Sequence, residues 1–305
     1  MFDTFKNRLE ITGVLTTVTA LRISNGRSTE PIGSDLPVMK DALGQPLIPG
    51  SSFKGALRSR LESFLRGIDS SLAANPAIEA EWSITNARLN GEDGIKKELE
   101  KELEKYPENE RSKRRDTLLT EKIINESDLI SLLFGSPWIA SKFQVRDLTV
   151  LPDTWFGQYQ ERDGVAIDRD TETAADGKLY DFQVVPAGTG FEFKAVVENA
   201  EEWELGLLMI GLHQFEIEQI PLGGGRSRGL GVVKLGIGNM RWIDVSNNPE
   251  KLLTYLQELV SSNPGDDIPS YEDAQQFKQD WTEALINHLR NNINQISTAE
   301  VTPNS

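Results

Sequence analysis

Alternation is the clearest pattern in the chain. Residues 7–23 (NRLEITGVLTTVTALRI) put apolar side chains at nearly every second position and are rich in Val, Ile and Thr, which predicts a strand. Gly26, Pro31, Gly33 and Pro37 break that pattern and predict a loop over 24–37. A short hairpin is expected around Asp41–Gln45, and Pro49-Gly50 interrupts the chain again. From Ser51 the period changes. Phe53, Leu57, Leu61 and Phe64 recur at helical spacing, so a helix is expected to about Arg66, capped by the hydroxyl of Ser51 or Ser52.

The stretch 67–128 reads as a charged helical insertion. IKKELEKELEK (95–105) sets opposite charges at helical spacing, and RSKRRD (111–116) is a basic cluster. A helix is expected to end at Phe134-Gly135, followed by a strand over 143–150. Residues 152–178 are polar and acidic and read as a loop or an excursion. Strands are expected at 180–185 and 190–198, then a helix from Glu201 to about Glu218 with Leu205, Leu208, Leu212 and Phe215 inward. A glycine-rich turn (221–231) leads into a strand at 231–237. Two amphipathic helices, near 250–261 and 271–291, close the chain, and the last ten residues are expected to fray.

Without the excursions the order is strand, helix, strand, strand, helix, strand. That is the split βαβ arrangement of an α+β, ferredoxin-like (RRM-like) fold. Its expected parts are a palm formed by 1–66 and 129–240, the insertion at 67–128, and a helical C-terminal extension at 241–305. Two helices would cover one face of the sheet. The other face would be free for a nucleic acid or a partner, and the fold does not choose between them.

Composition narrows the picture. The 305 residues are 38% hydrophobic, which suits a packed globular protein, and no apolar run approaches the roughly 18 residues of a membrane span. Met1–Glu10 is charged and has no apolar core of a signal peptide. With no cysteine, the chain has no disulfide, thiolate metal site or cysteine nucleophile, which suits a reducing cytoplasm. The net charge of −15 argues against nucleic acid when taken whole. Its distribution argues otherwise. Residues 1–66 hold nine Lys/Arg against six Asp/Glu, and every later section is acidic. An RNA path would have to be local, walled by acidic surface.

Three stretches carry chemistry. In IPGSSFKGALRSRLE (48–62), Ser51 and Ser52 open a helix whose N-terminal N–H groups attract anions, and Lys54 and Arg58 share a face. This reads either as a phosphate cradle or as two solvated charges. In LGGGRSRGLG (222–231), Gly224 and Gly225 allow close backbone approach, while Arg226, Ser227 and Arg228 add charge and a hydroxyl. It lacks both the G-x-G-x-x-G spacing and the Lys-Ser/Thr end of a P-loop, so contact with RNA phosphate competes with a plain glycine turn. Asp35, pinned between Gly33 and Pro37, has the means to hold a divalent ion or act in acid–base chemistry, but it is also an ordinary loop acid. His213 sits in an apolar stretch and reads as a core or boundary residue. No HExxH or G-x-S-x-G occurs.

Taken together, LEITGVLTTVTALRI, GSDLPVMKDALGQPLIPGSSFKGALRSRLE, LLFGS with FQVRDL, GVAIDRDTETAADGKLYDFQVVPAGTGFEF and PLGGGRSRGLGVVKL resemble the RAMP superfamily of CRISPR-associated proteins. The likeness is to the backbone subunit of type III (Csm/Cmr-like) complexes, and the unmatched 67–128 and 241–305 suggest a divergent branch such as type III-D. The resemblance implies a ferredoxin-like palm, with 165–190 contributing to a thumb that distorts the guide–target duplex. It implies as partners a guide RNA (crRNA), a target RNA, RAMP paralogues and a large effector subunit. Ser51–Arg58 and Gly223–Gly231 would face the guide backbone. Asp35 falls at the family's cleaving aspartate, and cleavage there depends on a divalent cation, Mg²⁺ or Mn²⁺. Where the family strand usually ends Leu-His-Ile-Gly, this chain has Leu21-Arg22-Ile23-Ser24. A non-catalytic subunit of the same assembly, a guide-processing endoribonuclease and a plain acidic scaffold are the alternative expectations.

Overall fold

In the computed structural model, residues 3–24, 26, 36–167, 174–263 and 267–300 are described, with side chains for all of these but 165–167, 174–179 and 295–300. The strands are β1 (Asn7–Thr17), β2 (Leu47–Ile48), β3 (Phe143–Val145), β4 (Leu148–Thr149), β5 (Gln160–Ile167), β6 (Ala174–Val184), β7 (Gly190–Glu198), β8 (Val233–Asp244) and β9 (Glu272–Asp273). The helices are α1 (Gly50–Ile68), α2 (Asn86–Asn90), α3 (Ile95–Leu103), α4 (Glu108–Glu126), α5 (Leu129–Phe134), α6 (Glu202–Glu216), α7 (Pro249–Ser261) and α8 (Lys278–Glu300).

The main sheet runs β3-β7-β1-β8-β9, and all its pairings are antiparallel. With α1 and α6 as its crossovers, this is the ferredoxin-like order, extended at one edge by β9. The inward side chains of β1 (Leu9, Ile11, Leu15) and β7 (Phe191, Phe193, Val197) are fully buried and meet Phe53, Leu57 and Leu61 of α1 and Leu205, Leu208, Leu212 and Phe215 of α6. Phe53 lies at the centre, its ring centroid 4.4 Å from Phe215 and 4.9 Å from Phe193. Burying one such ring stabilises by about 1.5–3 kcal/mol.

The aromatic side chains of the main-sheet strands do not lie on the sheet's outer face. Phe143, Phe191, Phe193 and Trp242 all pack into the helix side. The outer face carries instead an ion network in which Glu10 binds Arg8 at 2.8 Å and Arg241 at 2.8 Å, and Arg8 also binds Glu198.

Several elements differ from expectation. The first strand ends at Thr17, because Val18 and Thr19 turn to the carbonyl of Val232 and Leu21 pairs with Val185. The expected strand at 143–150 splits into β3 and β4, and β4 pairs with β2. The strand at 180–185 belongs to a separate two-stranded antiparallel sheet made of β5 and β6. The last palm strand runs on to Asp244. A bulge at Gly238 switches its inward set from Val233 and Leu235 to Met240 and Trp242.

The C-terminal helices are part of the core. Trp281 and Leu285 of α8 join the palm cluster, and Trp242 meets Trp281 edge-on at 5.4 Å. Gly206 of α6 makes this crossing possible, since a Cβ there would stand 2.0 Å from the Trp281 carbonyl oxygen. The segment 67–128 holds α2, α3 and α4, and its Ile84, Leu89, Ile95 and Ile123 form a small core with Ile139 of the palm, against which Leu132 and Trp138 also pack. Its basic cluster is largely occupied within the chain. Arg111 donates to the carbonyls of Tyr106 and Glu104, Arg114 pairs with Glu110, and Arg115 pairs with Glu100. No helix among the described residues is long and apolar enough to cross a membrane. Residues 301–305, within the stretch expected to fray, lie outside the described residues.

Candidate nucleic-acid interface

The start of α1 is arranged differently from the sequence expectation. Pro49 is the N-cap, and neither Ser51 nor Ser52 caps the helix. The cap comes from across the fold, where the Gly50 N–H donates to the Asp147 carboxylate at 2.8 Å. Asp147 sits in the break between β3 and β4, and Gly50 fits against it because a Cβ there would lie 2.6 Å from the Val145 carbonyl oxygen. The helix dipole is therefore already met by the chain's own anion.

Lys54 and Arg58 do share a face, but that face turns toward residues 133–143. Lys54 Nζ donates to Ser141 Oγ at 2.6 Å and to the Phe143 carbonyl at 3.1 Å. Burial, with the nearby Arg58 charge, pulls its pKa down to about 8. Arg58 is bound to Glu62 at 2.7 Å and to the Gly135 carbonyl at 3.0 Å. Both cations are held by structural partners.

The exposed side of α1 faces the glycine loop across a groove of about 520 Å³. Ser51, Ser52, Ser59 and Arg60 line the helix wall, and Gly223 and Arg226 line the other. Among the described residues no acid lines it. Arg60 donates to the Gln219 carbonyl and lies over the Phe64 ring, and Arg226 donates to the Gly223 carbonyl at 3.1 Å. Their remaining N–H groups are available to an anion, as hydroxyls and guanidiniums are to phosphate oxygens.

The loop is anchored by its backbone. Gly224 N–H donates to the Arg22 carbonyl at 2.9 Å, and Gly223, with φ +72°, packs so closely that a Cβ would stand 2.1 Å from that oxygen. Gly224 itself is open, with nothing within 4 Å of a Cβ position. Gly225 and Gly229 hold left-handed backbone around the turn of Arg226, Ser227 and Arg228, whose side chains are exposed.

Sequence reasoning thus found the two walls of the groove but missed Ser59 and Arg60. Arg60 follows Arg58 by two residues, about 200° round the helix, so the stripe that suggested Lys54 and Arg58 pointed away from it. Asp35 lies outside the described residues. Leu36, directly after it, bridges to Phe182 of β6. Among the described residues no group of three or more His, Asp or Glu is placed to hold a metal. His213 is exposed and contacts Glu216 at 3.1 Å, which corrects the expectation of a core or boundary position. On the far flank of α1, Trp82, Trp138, Ile84 and Phe134 line an apolar cavity of about 490 Å³ that also touches Arg58.

Comparison with known proteins agrees with this architecture. A family model described as the RAMP superfamily matches residues 14–234. The chain is 42% identical over 60 residues to a protein of Methanocaldococcus jannaschii named CRISPR system Cms endoribonuclease Csm3, a stretch covering 19% of this chain and 24% of that protein. It is 46% identical over 56 residues to the protein of the same name from Mycobacterium tuberculosis, covering 18% and 24%. The match thus spans about a quarter of each relative's length.

Proposed function

The chain belongs to the RAMP superfamily, and from that membership we propose that it is a guide-RNA-binding backbone subunit of a type III CRISPR effector complex. The observation that carries the reading is the groove between α1 and the glycine loop. In a chain of net charge −15, Arg60 and Arg226 stand there with four serine hydroxyls from Ser51, Ser52, Ser59 and Ser63, and among the described residues no acid lines the walls. At physiological salt the screening length is about 8 Å, so an RNA strand in the groove responds to these groups more than to distant acids. Hydroxyls, guanidiniums and the open backbone at Gly224 suit phosphates, which fix register without reading sequence.

One subunit offers few such contacts. Copies or paralogues stacked along one guide would join their grooves and gain from effective concentration. The partners in this reading are the guide RNA, a target RNA, RAMP paralogues and a large effector subunit, in the cytoplasm. Cleavage of the target belongs to the same proposal. Asp35 would be the acid at the scissile phosphate, with a divalent cation, Mg²⁺ or Mn²⁺, held by Asp35 and RNA oxygens. Such an ion supplies charge neutralisation at phosphorus.

The test is expression with the other subunits and analysis of the RNA that copurifies. A short RNA of uniform 5′ sequence is expected, and Arg60→Gln with Arg226→Gln should weaken its retention. Each lost phosphate contact should flatten the log–log salt dependence by roughly 0.7. Unchanged RNA retention across a salt series would remove the groove from the proposal.

A further inference from the structure

One three-residue turn divides its two arginines between two surfaces. Residues advance about 120° each in a 3-10 turn, so positions two apart diverge. Arg226 lines the groove, whereas Arg228 Nη1 reaches the other way to the Tyr180 hydroxyl on β6, at 3.1 Å. Tyr180 and Phe182 are two apart on that strand and share a face, with ring centroids 6.2 Å apart. Beyond them, the Arg22 guanidinium lies over the Phe182 ring, 4.7 Å from its centroid. The result is a row of cation, ring, ring, cation.

The row is built, since each member is held. Phe182 is buried, packed with Ala20, Val184 and Leu230, so its ring is a floor for Arg22 and not a platform for a base. The Arg22 backbone is fixed by Gly224 N–H from the glycine loop. Among the described residues no carboxylate pairs with Arg22 or Arg228. That contrasts with Arg8, Arg58, Arg88 and Arg241, each of which binds a glutamate. A guanidinium held beside a ring by contact with its face, and not by a carboxylate, keeps N–H groups to give, and a guanidinium fork takes phosphate oxygens in pairs.

We propose that this row is a second phosphate site, separate from the groove, and that it holds the target strand while the groove holds the guide. The inference rests on the guide-binding reading above. Its chemistry favours a nucleic-acid backbone over a protein surface, because two planar cations, one over the Phe182 ring and one on the Tyr180 hydroxyl, match consecutive phosphates. The glycine loop then acts as the divider, supplying Arg226 to one strand and Arg228 to the other.

The experiment uses the assembled complex with Arg22→Gln and Arg228→Gln in this subunit, beside a complex with Arg60→Gln and Arg226→Gln. Guide content per complex and affinity for labelled target RNA are measured over a salt series. The Arg22/Arg228 complex should keep its guide, lose about tenfold or more in target affinity, and flatten the salt slope by roughly 0.7–0.9 per lost phosphate. Arg22→Lys, which keeps the charge without the planar fork, should fall between, and Tyr180→Phe should weaken target binding less than removal of Arg228. Guide retained with target affinity unchanged would overturn this inference and leave the guide-binding reading standing. Equal loss of guide from both double variants would overturn the division of strands. A complex that fails to assemble while each subunit still melts cooperatively would make the row a protein contact, and would also overturn it. Absence of guide from the wild-type complex would remove the reading beneath.

Discussion

The Asp147 carboxylate accepts the backbone N–H of Gly50 at 2.8 Å, joining the break after β3 to the first turn of α1. A residue 97 positions away thus does the work of a local N-cap. Asp147→Ala should cost about 1 kcal/mol of stability, the usual worth of a cap, read from urea denaturation. It also strips the anion from the helix start. A complex carrying Asp147→Ala should therefore bind its guide no more weakly than wild type. Weaker binding would mean that Asp147 orders the groove itself.

Lys54 gives a pH-dependent prediction. Burial draws its pKa from 10.5 to about 8, so between those values the unfolded chain binds more protons than the folded one. Stability should therefore rise with pH across that window, and the rise should be smaller in Lys54→Met. The same proton reports on RNA. If Lys54 touches a phosphate, guide affinity should fall as pH climbs past about 8, and Lys54→Met should flatten the profile. A flat wild-type profile would leave Lys54 as a strut between α1, Ser141 and Phe143.

The buried ion pair of Lys142 and Glu204 should be costly to break from one side. Their side chains are 8% and 1% exposed, and Glu204 also accepts the Glu201 N–H at 2.7 Å in the capping box of α6. Burial raises the Glu204 carboxyl above its usual range, with Lys142 acting against it. Lys142→Met leaves that carboxylate buried without its cation and should cost about 3–5 kcal/mol. Adding Glu204→Gln should recover about 2 kcal/mol, because no charge then remains inside. Denaturation midpoints of the two variants test this.

Asp35→Asn should keep guide and target binding and remove cleavage, because an amide of the same size neither takes a proton nor carries the charge that holds a cation. Chelation should have the same effect on the wild-type complex. The measurement is cutting of a labelled target, with the candidate aspartates of all other backbone subunits removed. Persistent cutting at the same sites would make Asp35 a loop acid and leave a binding subunit without this activity.

Much of the palm was legible in the sequence, because period-2 and period-3.6 patterns report which side of an element is apolar. The alternation of 7–23 does bury Leu9, Ile11 and Leu15, and of the helical set Phe53, Leu57, Leu61 and Phe64 the first three form the core, whereas Phe64 is exposed and Leu65 is buried in its place. The same logic broke where geometry changes parity. The alternation of β8 reverses at Gly238, so the strand looked finished at Ile237 although it continues to Asp244.

For the candidate site, two walls were visible along the chain: the serine-rich, basic first turns of α1 and the glycine–arginine loop. Their composition is local, and local composition sets the chemistry a backbone presents. Which cations face which surface was decided only in three dimensions. Lys54 and Arg58 turn onto Ser141, Glu62 and Gly135, Arg60 and Arg226 line the groove, and Arg22 comes to rest on Phe182, 160 positions along the chain. A helix or strand pattern records its own apolar face, but not the element that will pack beside its polar one. The partners of a charge are therefore settled by the packing of distant segments.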